Sequence, residues 1–200
     1  ILEVFKKENV ADSFLRIHKG TPTNYHYVLW YGDERTILIK HEKYDYKLPD
    51  IGKPRWVYLS SVGEHTESFH KELENYLNLY PSIKLAFQPG TFQMKMGVEK
   101  LQGIYRRADL FFCNKDEAQR ILNIEESDIK KLLERIAGLG PKIVAITDGI
   151  KGAYAYDGKE MLFMPPYPDP KPPVQRTGAG DAFSSTFTVA LALGKDIREA

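Results

Sequence analysis

Two hundred residues, 42% hydrophobic and 28% charged, are the composition of an ordinary globular domain long enough to close a full core. The 28 basic and 27 acidic residues leave a net charge of +1, which gives no electrostatic basis for gripping nucleic acid or a membrane surface. No apolar run is long enough to span a bilayer. Cys113, the single cysteine, has no internal partner for a disulfide, so a reducing, cytoplasmic setting is expected. The five histidines (His18, His26, His41, His65, His70) have no metal-ligand spacing.

In chain order, Ile1 to Glu8 is an amphipathic fragment and not a signal peptide. Asn24–Trp30 and Thr36–Lys40 read as two strands around a turn at Gly32-Asp33. A βα rhythm follows. Trp56–Val62 is an apolar strand, and Thr66–Tyr80 is a helix with Phe69, Leu73, Tyr76, Leu77 and Tyr80 along one side. Lys84–Phe87 is a strand ended by Gln88-Pro89-Gly90. Val98–Tyr105 reads as a short helix and Leu110–Cys113 as a strand. Asp116–Leu122 and Asp128–Leu139 are helices, the second stopped by Gly138 and Gly140-Pro141. Lys142–Thr147 is a buried strand, and Ala153–Tyr156 with Glu160–Met164 forms a hairpin about Asp157-Gly158. Strands alternating with helices predict an α/β/α sandwich on a mainly parallel sheet, with ligands at the C-terminal strand ends, where Gln88, Asn114 and Gly149 fall.

The most informative segment is Val174 to Phe183. A proline-rich loop (Pro165 to Pro173) leads into Thr177-Gly178-Ala179-Gly180-Asp181, which opens a helical pattern from Ser184 to Leu193. Such a start presents backbone N–H groups with no partner inside the helix, at the positive end of the helix dipole. That suits an anion such as phosphate, and Asp181 beside it is placed to take a proton from an incoming hydroxyl. A tight turn with a dipole-favoured acid is the plainer alternative. A dinucleotide-binding fingerprint fits poorly, because Phe183 stands where its third glycine belongs and a proline loop precedes it.

Asn114 and Glu117, three residues apart at a strand-to-helix junction, either cap the helix or organise a cation, and the two roles are compatible. Thr147 and Gly149 are a strand end and a turn, or phosphate contacts. Gly152 reads as structural and Cys113 as a small core residue.

Thr177 to Phe183 resembles the C-terminal signature of the ribokinase-like (PfkB) carbohydrate kinases. Asn114-Lys115-Asp116-Glu117-Ala118 is similar to that family's Asn-x-x-Glu motif. Ile146-Thr147-Asp148-Gly149, followed by Gly152-Ala153, looks like its nucleotide-phosphate strand and turn. The resemblance implies a ribokinase-like kinase domain over residues 1–200, incomplete at both ends, with a lid or edge hairpin at about 15–40. It implies transfer of the γ-phosphoryl of ATP to a hydroxymethyl group of a sugar. Asp181 would be the base, and Gly178, Ala179 and Gly180 the anion hole. Asn114, Glu117, Thr147 and Gly149 would serve the nucleotide, and Asn114 with Glu117 the Mg²⁺, through water.

A homodimer through the lid is a further implication, as are missing segments before Ile1 (a glycine-rich sugar motif) and after Ala200 (part of the adenine pocket). A nucleoside kinase of the adenosine type, with Tyr25, Tyr27 or Trp30 stacking on a base, and a catalytically silent sugar- or nucleotide-binding relative stay open. Two departures matter. Gln175 and Arg176 replace the Asp-Thr that often precedes the signature, so weak dependence on K⁺ is expected. Gln88-Pro89-Gly90 stands where the family often has Asp-Pro-Asn.

Overall fold

The structure is a computed structural model and describes residues 1–31, 34–168 and 177–200. Gly32 and Asp33 of the expected turn, the side chain of Trp30, and Gln175 and Arg176 lie outside the described residues. The chain divides into two compact units, Ile1–Gly52 and Lys53–Ala200.

The first unit holds helix α1 (Leu2–Lys7) and the antiparallel strands β1 (Tyr25–Tyr31) and β2 (Glu34–Lys40), paired from Tyr25↔Lys40 to Tyr31↔Glu34. The expected strand pair is present. None of the unit's described residues is fully buried. Tyr25, Tyr27, Leu29, Ile37, Leu38 and Ile39 are all exposed. His26 and His41 stack across the pair with their Nε2 atoms 3.1 Å apart.

The second unit is built on a six-stranded sheet in the order β3 (Trp56–Leu59), β4 (Lys84–Phe87), β5 (Leu110–Asn114), β6 (Ile143–Thr147), β7 (Ala153–Tyr156), β8 (Met161–Met164). The first four strands run parallel, and the last two are antiparallel additions. Leu85, Phe87, Leu110, Phe111, Val144 and Ile146 have no exposed surface, as expected of parallel strands covered on both faces. Alternation along β5 sends neighbouring rings to opposite sides. Phe111 meets Phe87 and Tyr105. Phe112 meets Phe183 and Phe187 of helix α7 (Ala179–Ala192).

The helices α2 (Glu67–Leu79), α3 (Thr91–Met96), α4 (Gln102–Arg107), α5 (Lys115–Leu122) and α6 (Ile129–Ala137) complete the layers. The result is an α/β sandwich on a mixed, mostly parallel sheet. Helix α6 buries Ile129, Leu132, Leu133 and Ile136, the face its periodicity marks out. Asp109 pins the sheet at the N-terminal edge of β5. It accepts from Lys84 (3.1 Å), Lys142 (2.7 Å) and the Leu85 N–H (3.0 Å). Burial works to raise its pKa, but these donors win and hold the carboxyl below its ordinary range.

Several elements differ from expectation; helix α7 begins at Ala179, five residues before the expected Ser184. Strand β3 ends at Leu59 and does not reach Val62, because the Ser60 carbonyl turns to accept from Gln93 Nε2 at 3.1 Å. Helix α3 is an addition to the expected elements: its N-cap, Gly90, has no side chain to bond the first turn, and the Gly90 N–H is held instead by Gln93 Oε1 at 2.7 Å. The expected helix at Val98–Tyr105 begins four residues later and ends two later, at Gln102–Arg107. No described helix is long and apolar enough to cross a membrane.

Candidate active site

The C-terminal ends of β4, β5 and β6 lie side by side, and each carries residues singled out in the sequence. At β5, Asn114 is the N-cap of α5. Its Oδ1 accepts from the Glu117 N–H at 2.8 Å, and Glu117 Oε2 accepts from the Asn114 N–H at 2.8 Å. This is a complete capping box, so the capping role is physically realised. Thr147, the last residue of β6, stands opposite Asn114 in the parallel register. Gly149 opens a short 3₁₀ turn, Gly149–Lys151, with φ +52°. Between them Asp148 lies 3.8 Å from the Lys115 ammonium and 3.9 Å from that of Lys151.

Gly152 follows with φ +99°, and a Cβ there would come within 2.4 Å of the Met164 carbonyl. Glycine is therefore obligatory at 152 for packing reasons. Cys113 is buried, and its thiol is pushed well above its ordinary pKa by burial, which leaves it inert.

Helix α7 opens differently. Its N-cap is Gly178, with φ +85°, a left-handed conformation that favours glycine. Among the described residues no side chain is seen to cap this end. The first helical bond at the start runs from the Ala182 N–H to Gly178 O, at 2.8 Å. Among the described residues a Cβ at Gly180 would meet nothing within 4 Å, so their packing does not require a glycine there. Gly178, Ala179, Gly180 and Asp181 are all exposed, whereas Ser184 one turn on is buried.

Asp181 is tied to β4. Gln88, the residue after that strand, donates Nε2–H to Asp181 Oδ1 at 3.1 Å. The Tyr58 and Ser184 hydroxyls converge on Gln88 Oε1. The charge of Asp181 also reaches Glu117. Burial is the main reason the Glu117 carboxyl is raised above its ordinary pKa, and the charges of Asp116 and Asp181 add to it against the Asn114 N–H and Arg120. The fold therefore brings the Asp181 charge near Glu117, 64 positions earlier in the chain. Tyr58 and Ser184 carried no signal in the sequence, since nothing in their spacing ties them to Asp181. Gln88 could be found only as a polar residue at a parallel strand end.

The family model for the pfkB family carbohydrate kinases matches residues 1–200. The chain belongs to this family. Among its relatives, the cytidine kinase of Thermococcus kodakarensis is 37% identical over 99 residues, which are 50% of this chain and 35% of that protein. The ribokinase of Bacillus subtilis is 44% identical over 62 residues, 31% of this chain and 20% of that one. These matches span about a third or less of the curated relatives' own length. The crystal structure of ribokinase from Cryptococcus neoformans var. grubii serotype A in complex with ADP superposes with a TM-score of 0.80. It is 21% identical, over 99% of this chain and 68% of that one, and confirms the ribokinase-like fold.

Proposed function

We propose that this pfkB-family chain carries the phosphoryl-transfer site of an ATP-dependent kinase acting on the hydroxymethyl group of a sugar. The observation that carries the reading is the start of α7: an uncapped helix end, glycines that no packing demands, and an exposed carboxylate in the first turn. In this reading the N–H groups of Gly178, Ala179 and Gly180 hold the oxygens of the transferring phosphoryl group. Asp181 takes the proton of the acceptor hydroxyl as its oxygen bonds the γ-phosphorus and the bond to ADP breaks. Thr147 and Gly149, at the end of β6, contact the nucleotide phosphates.

The residues present suit Mg²⁺ carried in with the nucleotide. Among the described residues no group of three or more His, Cys, Asp or Glu side chains could hold a metal by itself. Mg²⁺ keeps several waters and needs few protein oxygens. Glu117, its ionisation opposed by burial and by Asp181, is a carboxylate that a nearby cation would relieve, and with Asn114 it would meet the hydrated ion. When bound, the ion neutralises charge on the phosphates.

A nucleoside as acceptor is the second reading. The Thermococcus kodakarensis relative is named a cytidine kinase, and Tyr25 and Tyr27 present exposed rings of the kind that stack on a base. Coupled ADP release by the full-length protein, over a panel of sugars and nucleosides, tests both. Stimulation by a sugar above all nucleosides is expected. The reverse order would move the assignment to nucleosides, and ATP binding without turnover on any acceptor would mean a silent binder.

A further inference from the structure

Helix starts leave their first-turn side chains free to rotate, and a base that must meet one hydroxyl gains from being held. Asp181 is exposed, and Gln88 holds its Oδ1 across 93 positions of sequence. The orientation of that carboxamide is set at its other end. Ser184 Oγ lies 2.8 Å from Gln88 Oε1, the Tyr58 hydroxyl bonds the same oxygen, and the two hydroxyls are 2.7 Å apart. Turning the amide over would set its carbonyl oxygen against the Asp181 carboxylate, two acceptors with no proton between them. Ser184 is 1% exposed and shares its one hydroxyl proton between Gln88 Oε1 and Gly180 O, each 2.8 Å away, which ties the carboxamide to the first turn of α7. Burial, helped by the charge of Asp181, raises the Tyr58 phenol above its ordinary pKa against the opposing Ser184 bond, so it stays a donor.

We infer that Gln88 is a positioning residue for Asp181, oriented by the Tyr58 and Ser184 hydroxyls, and that this amide relay aims the carboxylate at the acceptor hydroxyl. The inference rests on the reading of Asp181 as the base. It assigns a role to the position where this chain departs from Asp-Pro-Asn. A carboxylate at 88 could not donate and would set a like charge at hydrogen-bonding distance from Asp181, so this geometry requires a neutral amide.

The test uses the full-length protein and its best acceptor from the ADP-release panel, with melting temperatures recorded for each variant. Misplacing a reacting group by about 1 Å can cost ~10²-fold in rate. Gln88→Leu is therefore expected to lower kcat by roughly 10- to 100-fold, with KM for ATP within about twofold. Gln88→Glu should lose at least as much. Tyr58→Phe should cost a smaller factor in the wild-type background and nothing further in the Gln88→Leu background. Gln88→Leu should add no loss to Asp181→Asn.

A merely structural Gln88 would give additive losses or a falling melting temperature that tracks kcat, and either would overturn the inference. So would a folded Gln88→Leu protein with kcat near wild type while Asp181→Asn is inactive, an outcome that leaves the base reading standing. An active Asp181→Asn would instead remove the base and the relay together. If Gln88→Leu does not fold, Tyr58→Phe at a partly exposed position carries the test. Unchanged kcat there overturns the orienting role.

Discussion

Two helices of the sheet unit begin within reach of each other's charge and solve the same local problem in opposite ways. At α5, Asn114 and Glu117 satisfy each other's backbone N–H groups, and the helix end is closed by its own side chains. At α7, Gly178 has no side chain to offer, and among the described residues none is seen to cap the first turn. A helix N-terminus is an anion site only where the chain declines to cap it. The closed end fixes the Glu117 carboxylate in place; in the proposed reading the open end takes the phosphate, which that carboxylate would serve through a hydrated cation.

The contrast is broken most severely at Asp181. Asp181→Asn keeps the shape of the helix start and removes the proposed base, so kcat is expected to fall by about 10² to 10⁴ while ATP still binds, read by ADP release and by equilibrium nucleotide titration. Closing the open end is the next largest change. Gly178→Val forces a β-branched residue to φ +85°, at a cost of about 1–2 kcal/mol, and disorders the N–H array. Weaker ATP binding together with a lower melting temperature is expected, and unchanged nucleotide affinity would show that the array does not hold phosphate.

Glu117→Gln separates the two duties of the closed end. The amide oxygen of glutamine can still accept from the Asn114 N–H, so the cap survives. The charge does not, and the Mg²⁺ concentration for half-maximal rate should rise. Because the folded-state pKa of Glu117 is raised, its contribution to stability is fully present below its unfolded value and is lost as pH rises through the folded one. The wild type should therefore be most stable relative to Glu117→Gln near about pH 4 and lose ground toward neutrality, as thermal melts across that window would record. A Gln variant that melts lower than wild type at pH 7 with an unaltered Mg²⁺ titration would leave capping as the residue's whole role.

Asn114→Ala is the mildest break. It removes the N-cap and should cost about 1 kcal/mol of stability, visible in denaturant titration.

How much of this was legible depended on distance along the chain. The strand pair of the first unit, the strands β4 to β8 and the helices α2, α5 and α6 follow from alternation, periodicity and stop signals read over a dozen residues. Helix α3 escaped because Gly90 provides no capping side chain and its partner Gln93 is buried in contacts with Ser60 and His70 that local pattern does not reveal. Gly152 was read correctly as structural, and the Met164 carbonyl pressed against it supplies the reason.

The sequence by itself determined both helix starts. Asn-x-x-Glu closes an end and Gly-Ala-Gly-Asp leaves one open, because each outcome depends on bonds spanning three or four residues. Tertiary structure alone decided what meets at those ends. Parallel strands must all point their C-termini the same way, so residues far apart in sequence are delivered to one edge. That is how Tyr58 comes to Ser184 across 126 positions, and how Gln88 comes to hold Asp181.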